Sequence, residues 1–245
     1  MRTYLEIVNI KTVHVVLISF AASFLAIQFH ISFDFDFLLI SAALIFPLVF
    51  TIREAFKRRE RALQSLSRFK ASLITIYYSF EINKKLDSDK KIFIKKTLQR
   101  IADTLIVCLG DKSKTKENLD KDVREVFTFI QANSEVISGG VAMRIFRLMR
   151  DTHDSIENLV AIERHRTPIS LRSYCLIFIY LFPVIYTPTL LESLGSDVSF
   201  WLLGSIAAFK AFILISLFNV QERIEDPFDQ DSLDDIRLDD FRFTE

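Results

Sequence analysis

Residues 37–63 read FLLISAALIFPLVFTIREAFKRRERAL. The first sixteen, Phe37 to Ile52, contain no Lys, Arg, Asp or Glu. The next eleven carry five basic and two acidic side chains. An apolar run that ends in a basic cluster is how a helix leaves hydrocarbon on the cytoplasmic side of a membrane. Sixteen residues are short for a crossing at about 1.5 Å rise each, but the helix can continue into the basic stretch.

Three further runs share this character. Thr12–Gln28 is free of Lys, Arg, Asp and Glu, as is Ser173–Leu191; Val198–Val220 carries one charge, Lys210. Helices buried in a soluble protein usually have one polar face, whereas these runs are apolar all round. The expectation is four spanning helices. The loops 29–36 and 192–197 hold no Lys or Arg. The stretch 53–172 holds 25 basic against 16 acidic residues, a net of +9. The positive-inside rule then places both termini and the long middle segment in the cytoplasm. Phe33, Phe35, Phe37, Phe200 and Trp201 collect near span ends, as an interfacial aromatic belt does.

Whole-chain totals hide this separation. The 245 residues carry 31 basic and 31 acidic side chains, and mean hydropathy is +0.27. Zero net charge gives no global pull toward nucleic acid. Five Gly and five Pro argue for long helices. Cys108 and Cys175 lack the spacing of a disulfide framework or a zinc site. His14, His30, His153 and His165 form no metal pair at helical spacing. No nucleophile-elbow motif, Gly-rich phosphate loop or intramembrane carboxylate pair occurs, so enzyme chemistry is not expected. The first residues lack a compact basic start and a small-residue cleavage site, so no cleavable signal is expected.

The middle segment has a helical apolar rhythm over Arg53–Phe80, Asp87–Leu109, Glu117–Ile137 and Val141–Arg164, with breaks at Ser113–Asn118 and Ser138–Gly140. Residues 221–245 hold ten acidic and three basic side chains. Such a tail reads as a solvated extension, or as a segment that docks on the basic helices of a neighbouring subunit.

Two features carry candidate chemistry. Lys210 lies well inside an apolar run, where a charge is costly and functional by default; the plainer reading is a Lys reaching a wet cavity or a neighbouring helix. Ala42, Phe46 and Phe50 recur every fourth residue and share a helix face, with Pro47 between them as a potential bend. In an oligomer such a face forms phenyl rings that gate a pore by dewetting, with ring edges that tolerate an anion. Among 24 Phe, lipid-facing or core packing is the competing reading.

Several pieces in order resemble the bestrophin family of ion channels. Phe46-Pro47-Leu48-Val49-Phe50, followed by Ala55-Phe56-Lys57-Arg58, is similar to that family's neck and the arginine that follows it. Glu163-Arg164-His165-Arg166-Thr167-Pro168-Ile169 resembles the segment before its third membrane stretch. Glu225-Asp226-Pro227-Phe228, with Asp231 and Leu233–Asp239 after it, is similar to its post-membrane NPFG and acidic segment. There are departures. The aromatic pair after the arginine is here Arg59-Glu60, Asp229 stands for the glycine after Pro-Phe, and Ala42 replaces a large aliphatic residue at the top of the neck. The chain resembles a divergent, compact, prokaryotic-type member.

The resemblance implies an all-α integral membrane protein: four transmembrane helices plus a cytoplasmic helical region, in a homopentamer around one central pore. Residues 1–56 would hold the first two membrane helices and the neck, 57–171 the cytoplasmic helices, 172–220 the last two membrane helices and 221–245 the acidic tail. The implied function is a passive, anion (chloride)-conducting channel with a neck at Ala42, Phe46 and Phe50 and a lower constriction at Ile169. The alternatives are a cation-conducting channel of the same fold and a membrane-anchored scaffold or receptor without transport. Partners would be other copies of the chain, lipid and permeant inorganic ions, with no nucleic acid, in the inner or plasma membrane. The only cofactor suggested is calcium, on Asp226, Asp231 and Asp234, since loop carboxylates suit a hard cation.

Overall fold

A computed structural model describes residues 8–34, 36–110, 116–166, 168–195, 197–230 and 235–244, with the backbone alone at 37, 39 and 40. The described residues form seven α-helices and a short 3-10 turn, and no strand. They divide into two compact units. The first draws on Met1–Lys57 and Arg166–Glu225, the second on Arg58–His165 and Asp226–Glu245.

The first unit contains α1 (Ile10–Gln28), the beginning of α2 (Phe37–Glu81), α6 (Ile169–Leu194) and α7 (Phe200–Ile224). Three helical stretches among the described residues are long and apolar enough to cross a membrane: α1, α7 and the stretch ending at Leu194 that includes α6. Several of their hydroxyls are satisfied within the helix, as an apolar solvent favours. The hydroxyls of Ser19, Ser23 and Thr187 donate to the carbonyls of Val15, Ser19 and Pro183, four residues back, at 2.8, 2.9 and 2.6 Å.

The start of α1 is capped reciprocally. The Asn9 side chain accepts from the backbone N–H of Lys11 and Thr12, and the Thr12 hydroxyl accepts from the Asn9 N–H. Asn219 of α7, 2% exposed, joins this cap: Asn9 Nδ2 donates to its Oδ1 at 3.0 Å, and its Nδ2 donates to Thr12 Oγ1 at 3.1 Å. One turn later Glu222 pairs with both Lys11 of α1 and Arg172 of α6. A single carboxylate therefore ties the ends of three helices together.

Packing in this unit relies on small side chains. The buried face of α1 is Thr12, Val15, Ser19, Ser23 and Ala26, at spacings of three and four; without bulky residues the helix axes approach closely. Gly204 of α7 makes the tightest such contact. A Cβ built there would lie 2.5 Å from Cδ1 of Phe20. Phe20 in turn meets Phe200 and Trp201, with centroids at 5.9 and 6.0 Å.

The second unit holds the rest of α2, then α3 (Ser88–Gly110), α4 (Glu117–Ala132) and α5 (Gly139–Arg164). Each buries an apolar stripe, such as Leu66, Phe69, Leu73 and Ile76 on α2 and Leu98, Ile101 and Leu105 on α3. The helix expected to reach Ile137 stops at Ala132. Asn133 ends it, its backbone N–H bonded to Phe129 and Ile130 and its side chain to the Phe129 carbonyl at 2.8 Å. Arg58 donates to the carbonyls of Ile162 and His165 at the end of α5. Those carbonyls have no partner within their own helix, and a cation there also suits the helix dipole.

The described part of the acidic tail is not a solvated extension. Phe228, Ile236, Leu238 and Phe243 are buried in the core of this second unit. Arg242 pairs with Asp239 and with Asp103 of α3, both at 2.8 Å. Hydrogen bonds to those two carboxylates hold its guanidinium pKa above the ordinary value. Lys70 Nζ reaches the Asp240 carbonyl at 2.7 Å. The apolar residues spaced through the carboxylates account for the docking: burying each phenyl or Leu contributes about 1.5–3 kcal/mol.

The Gly204–Phe20 contact gives the first prediction. In an exposed helix, Gly→Ala stabilises by about 1 kcal/mol. Gly204→Ala is expected to destabilise instead, by about 1–3 kcal/mol, read as a lower thermal midpoint in detergent. In a Phe20→Ala background the same Gly204→Ala change should cost little or nothing; a stabilised single variant contradicts the contact.

Candidate pore-lining site

At about 3.6 residues per turn, α2 presents two opposite faces in its apolar part. Leu44, Leu48, Thr51 and Ala55 are 0–2% exposed. Leu44 and Leu48 pack in the core of the first unit with Ile179, Phe182 and Ile215. Phe46 and Phe50, on the other side, are 61% and 56% exposed, and Ala42 above them is half-buried. The structure thus puts the three expected neck residues on one face and turns both phenyl rings away from the chain's own core. That face carries no titratable side chain between residues 37 and 52.

Pro47 interrupts the backbone ladder between the two rings. Having no N–H, it leaves the carbonyl four residues earlier, that of Ala43, without its helical partner. Tyr174 of α6 supplies one: its hydroxyl donates to the Ala43 oxygen at 3.2 Å. The Tyr174 ring is braced by Phe178 at 4.4 Å. Sequence reasoning identified Pro47 but not its partner. The usable signal was the freed carbonyl, which calls for a donor on a neighbouring span, and Ser173–Leu191 contains only a few.

Ile169 is not on the α2 face. It is the first residue of α6, follows Pro168 as the helix cap, and is 81% exposed. Exposure at a helix start is what a constriction residue needs, yet nothing in a single chain brings it next to Phe46 or Phe50.

Of the three candidate calcium ligands, Asp231 and Asp234 lie outside the described residues. Asp226 is 8% exposed and Glu225 is 1% exposed. The Glu225 carboxylate accepts from Gln221 Nε2 at 2.9 Å. The loop beyond Asp226 closes on itself, with Ile236 N–H on the Pro227 carbonyl at 3.0 Å and Gln230 Nε2 on the Ile236 carbonyl at 2.8 Å. Among the described residues no three His, Cys, Asp or Glu side chains gather as a metal site. A calcium site needs six or more oxygens, and Asp226 is the one expected carboxylate among the described residues.

No family model matches the sequence, and no curated protein matches it. Solved structures do. A bacterial bestrophin homologue from Klebsiella pneumoniae superposes with a TM-score of 0.78 at 15% identity, covering 94% of this chain and 93% of that one. A single-substitution form of a bestrophin homologue from the same organism gives 0.77 at 14% identity, over 94% of each chain. A membrane protein with one substitution gives 0.78 at 15% identity, over 95% of each. The chain therefore has a bestrophin-like fold over nearly its whole length.

Tyr174→Phe keeps the ring and removes only the donor. Stranding the Ala43 carbonyl is expected to cost about 1–3 kcal/mol, measured as a lower unfolding midpoint. Tyr174→Phe combined with Pro47→Ala, which restores the helical N–H, should lose much less. Equal losses in the two variants contradict the assignment.

Proposed function

We propose that the chain is one subunit of a homo-oligomeric, pentameric ion channel whose neck is lined by Phe46 and Phe50, with Ala42 at its wider upper end. The observation that carries this reading is the two-faced α2. Two large phenyl groups stand more than half exposed, directly opposite a fully buried ridge, in a chain with a bestrophin-like fold. In a monomer that face would border lipid. In a ring of subunits the same phenyls meet around an axis.

Four helices cross the membrane in this reading, the fourth being the apolar start of α2, with both termini and the basic helices on the cytoplasmic side. Transport is passive. A phenyl-lined neck holds water poorly, so conduction depends on how wide the ring stands. The inward edges of the rings are weakly positive and suit an anion better than a cation. The net +9 of residues 53–172 raises the anion concentration at the inner mouth, although part of it is cancelled locally, as where Arg100 pairs with Asp122 and Glu125. Ile169, exposed at the head of α6, serves as a lower constriction.

The test is recording from purified protein in planar bilayers under a potassium chloride gradient. Currents should reverse toward the chloride potential. Phe46→Ala with Phe50→Ala should raise single-channel conductance several-fold while leaving the subunit count unchanged. Reversal toward the potassium potential overturns the anion reading and keeps the pore. Silence from well-folded oligomers overturns the pore and favours a scaffold.

A further inference from the structure

Lys210 stands ten residues into α7, about 15 Å along the helix from Phe200 and therefore near the middle of the span. Its ammonium lies 4.3 Å from the centroid of the Tyr186 ring on α6. Among the described residues that ring is the only partner recorded for it, and no acidic side chain lies within the apolar runs of α1, α2, α6 or α7. Lys210 also lines a cavity of about 210 Å³ whose wall is otherwise Ser41, Leu44, Ile45, Phe182, Ile213 and Leu214. The cavity meets α2 on a side well away from Phe46, since Ser41, Leu44 and Ile45 are turned roughly 100° or more from it at 100° per residue. It is separate from the neck.

A cation at this depth calls for an anion. The wall narrows the choice. One ammonium and one hydroxyl are too few donors to replace the hydration shell of a small inorganic ion, while the remaining surface is hydrocarbon. A phospholipid phosphodiester carries a permanent charge and stays at headgroup level, about half a span away. A carboxylic acid enters apolar lipid in its neutral form and brings an alkyl chain that matches the wall.

We propose that this cavity binds a single-chain carboxylate taken from the bilayer, a long-chain fatty acid, with its carboxyl group at Lys210 beside Ser41 and its chain along Phe182, Ile213 and Leu214. Aromatic contact at Tyr186 holds the ammonium in place when the site is empty. The proposal does not depend on ion conduction.

The experiment uses the whole protein in phosphatidylcholine nanodiscs with a photoactivatable fatty acid, and maps the labelled peptides by mass spectrometry. Label is expected on the peptides containing Phe182 and Ile213. Excess oleate should compete, and equimolar phosphatidylglycerol should not. Lys210→Met should reduce labelling there about tenfold or more, and Lys210→Arg should retain it. Label spread evenly over the lipid-facing surface, equal competition by phosphatidylglycerol, or undiminished labelling of Lys210→Met overturns the assignment. If Lys210→Met does not assemble, the wild-type map and the competition series decide the matter alone.

Discussion

A charged side chain in hydrocarbon costs at least a few kcal/mol, and an unsatisfied backbone group there costs a similar amount. Most of this chain can be derived from those two penalties. Charges are swept out of four runs and collect at their ends, where Lys11, Arg172 and Glu222 become partners. Several hydroxyls that remain inside, Ser19 and Thr187 among them, fold back onto their own helix. The carbonyl freed by Pro47 takes its hydrogen bond from Tyr174 instead of water. Lys210 is the exception to the first rule, and it is found where a ring face and a cavity receive it.

α2 serves two environments in one continuous helix of 45 residues. Its first part is apolar on every side, so its register is set by which residues the neighbouring helices accept. Leu44, Leu48, Thr51 and Ala55 occupy that ridge, and the phenyls of Phe46 and Phe50 are left outward as a consequence. Its later part is amphipathic and packs through Leu66, Phe69 and Leu73. Between the two, Arg58 closes the open end of α5, so this arginine has a structural task as well as a charge.

The sequence was most legible where polarity changes abruptly. The ends of α1, α6 and α7 fall within a few residues of the uncharged runs, because a charge is a sharp boundary marker. The helices of the second unit were visible through their apolar stripes, although Asn133 ended α4 earlier than the rhythm suggested. The facing of α2 was legible only as a spacing. A run that is apolar all round says nothing about which side is buried, and the ridge that decides it belongs to tertiary packing. The tail misled for a related reason: ten carboxylates masked four buried apolar residues whose partners are far away in sequence. Tyr174 and the cavity beside Lys210 depend on contacts between distant helices, which no local pattern encodes.

The central claim is that the outward phenyl face of α2 lines the conduction path in the assembled protein. Substituted-cysteine modification tests this most directly, after Cys108 and Cys175 have been replaced. Phe46→Cys and Phe50→Cys channels in a bilayer should react with a membrane-impermeant, charged thiol reagent, and each reaction should block the current irreversibly. If both thiols stay unmodified, or react without any change in current, the face borders lipid or protein and the account of the neck is wrong.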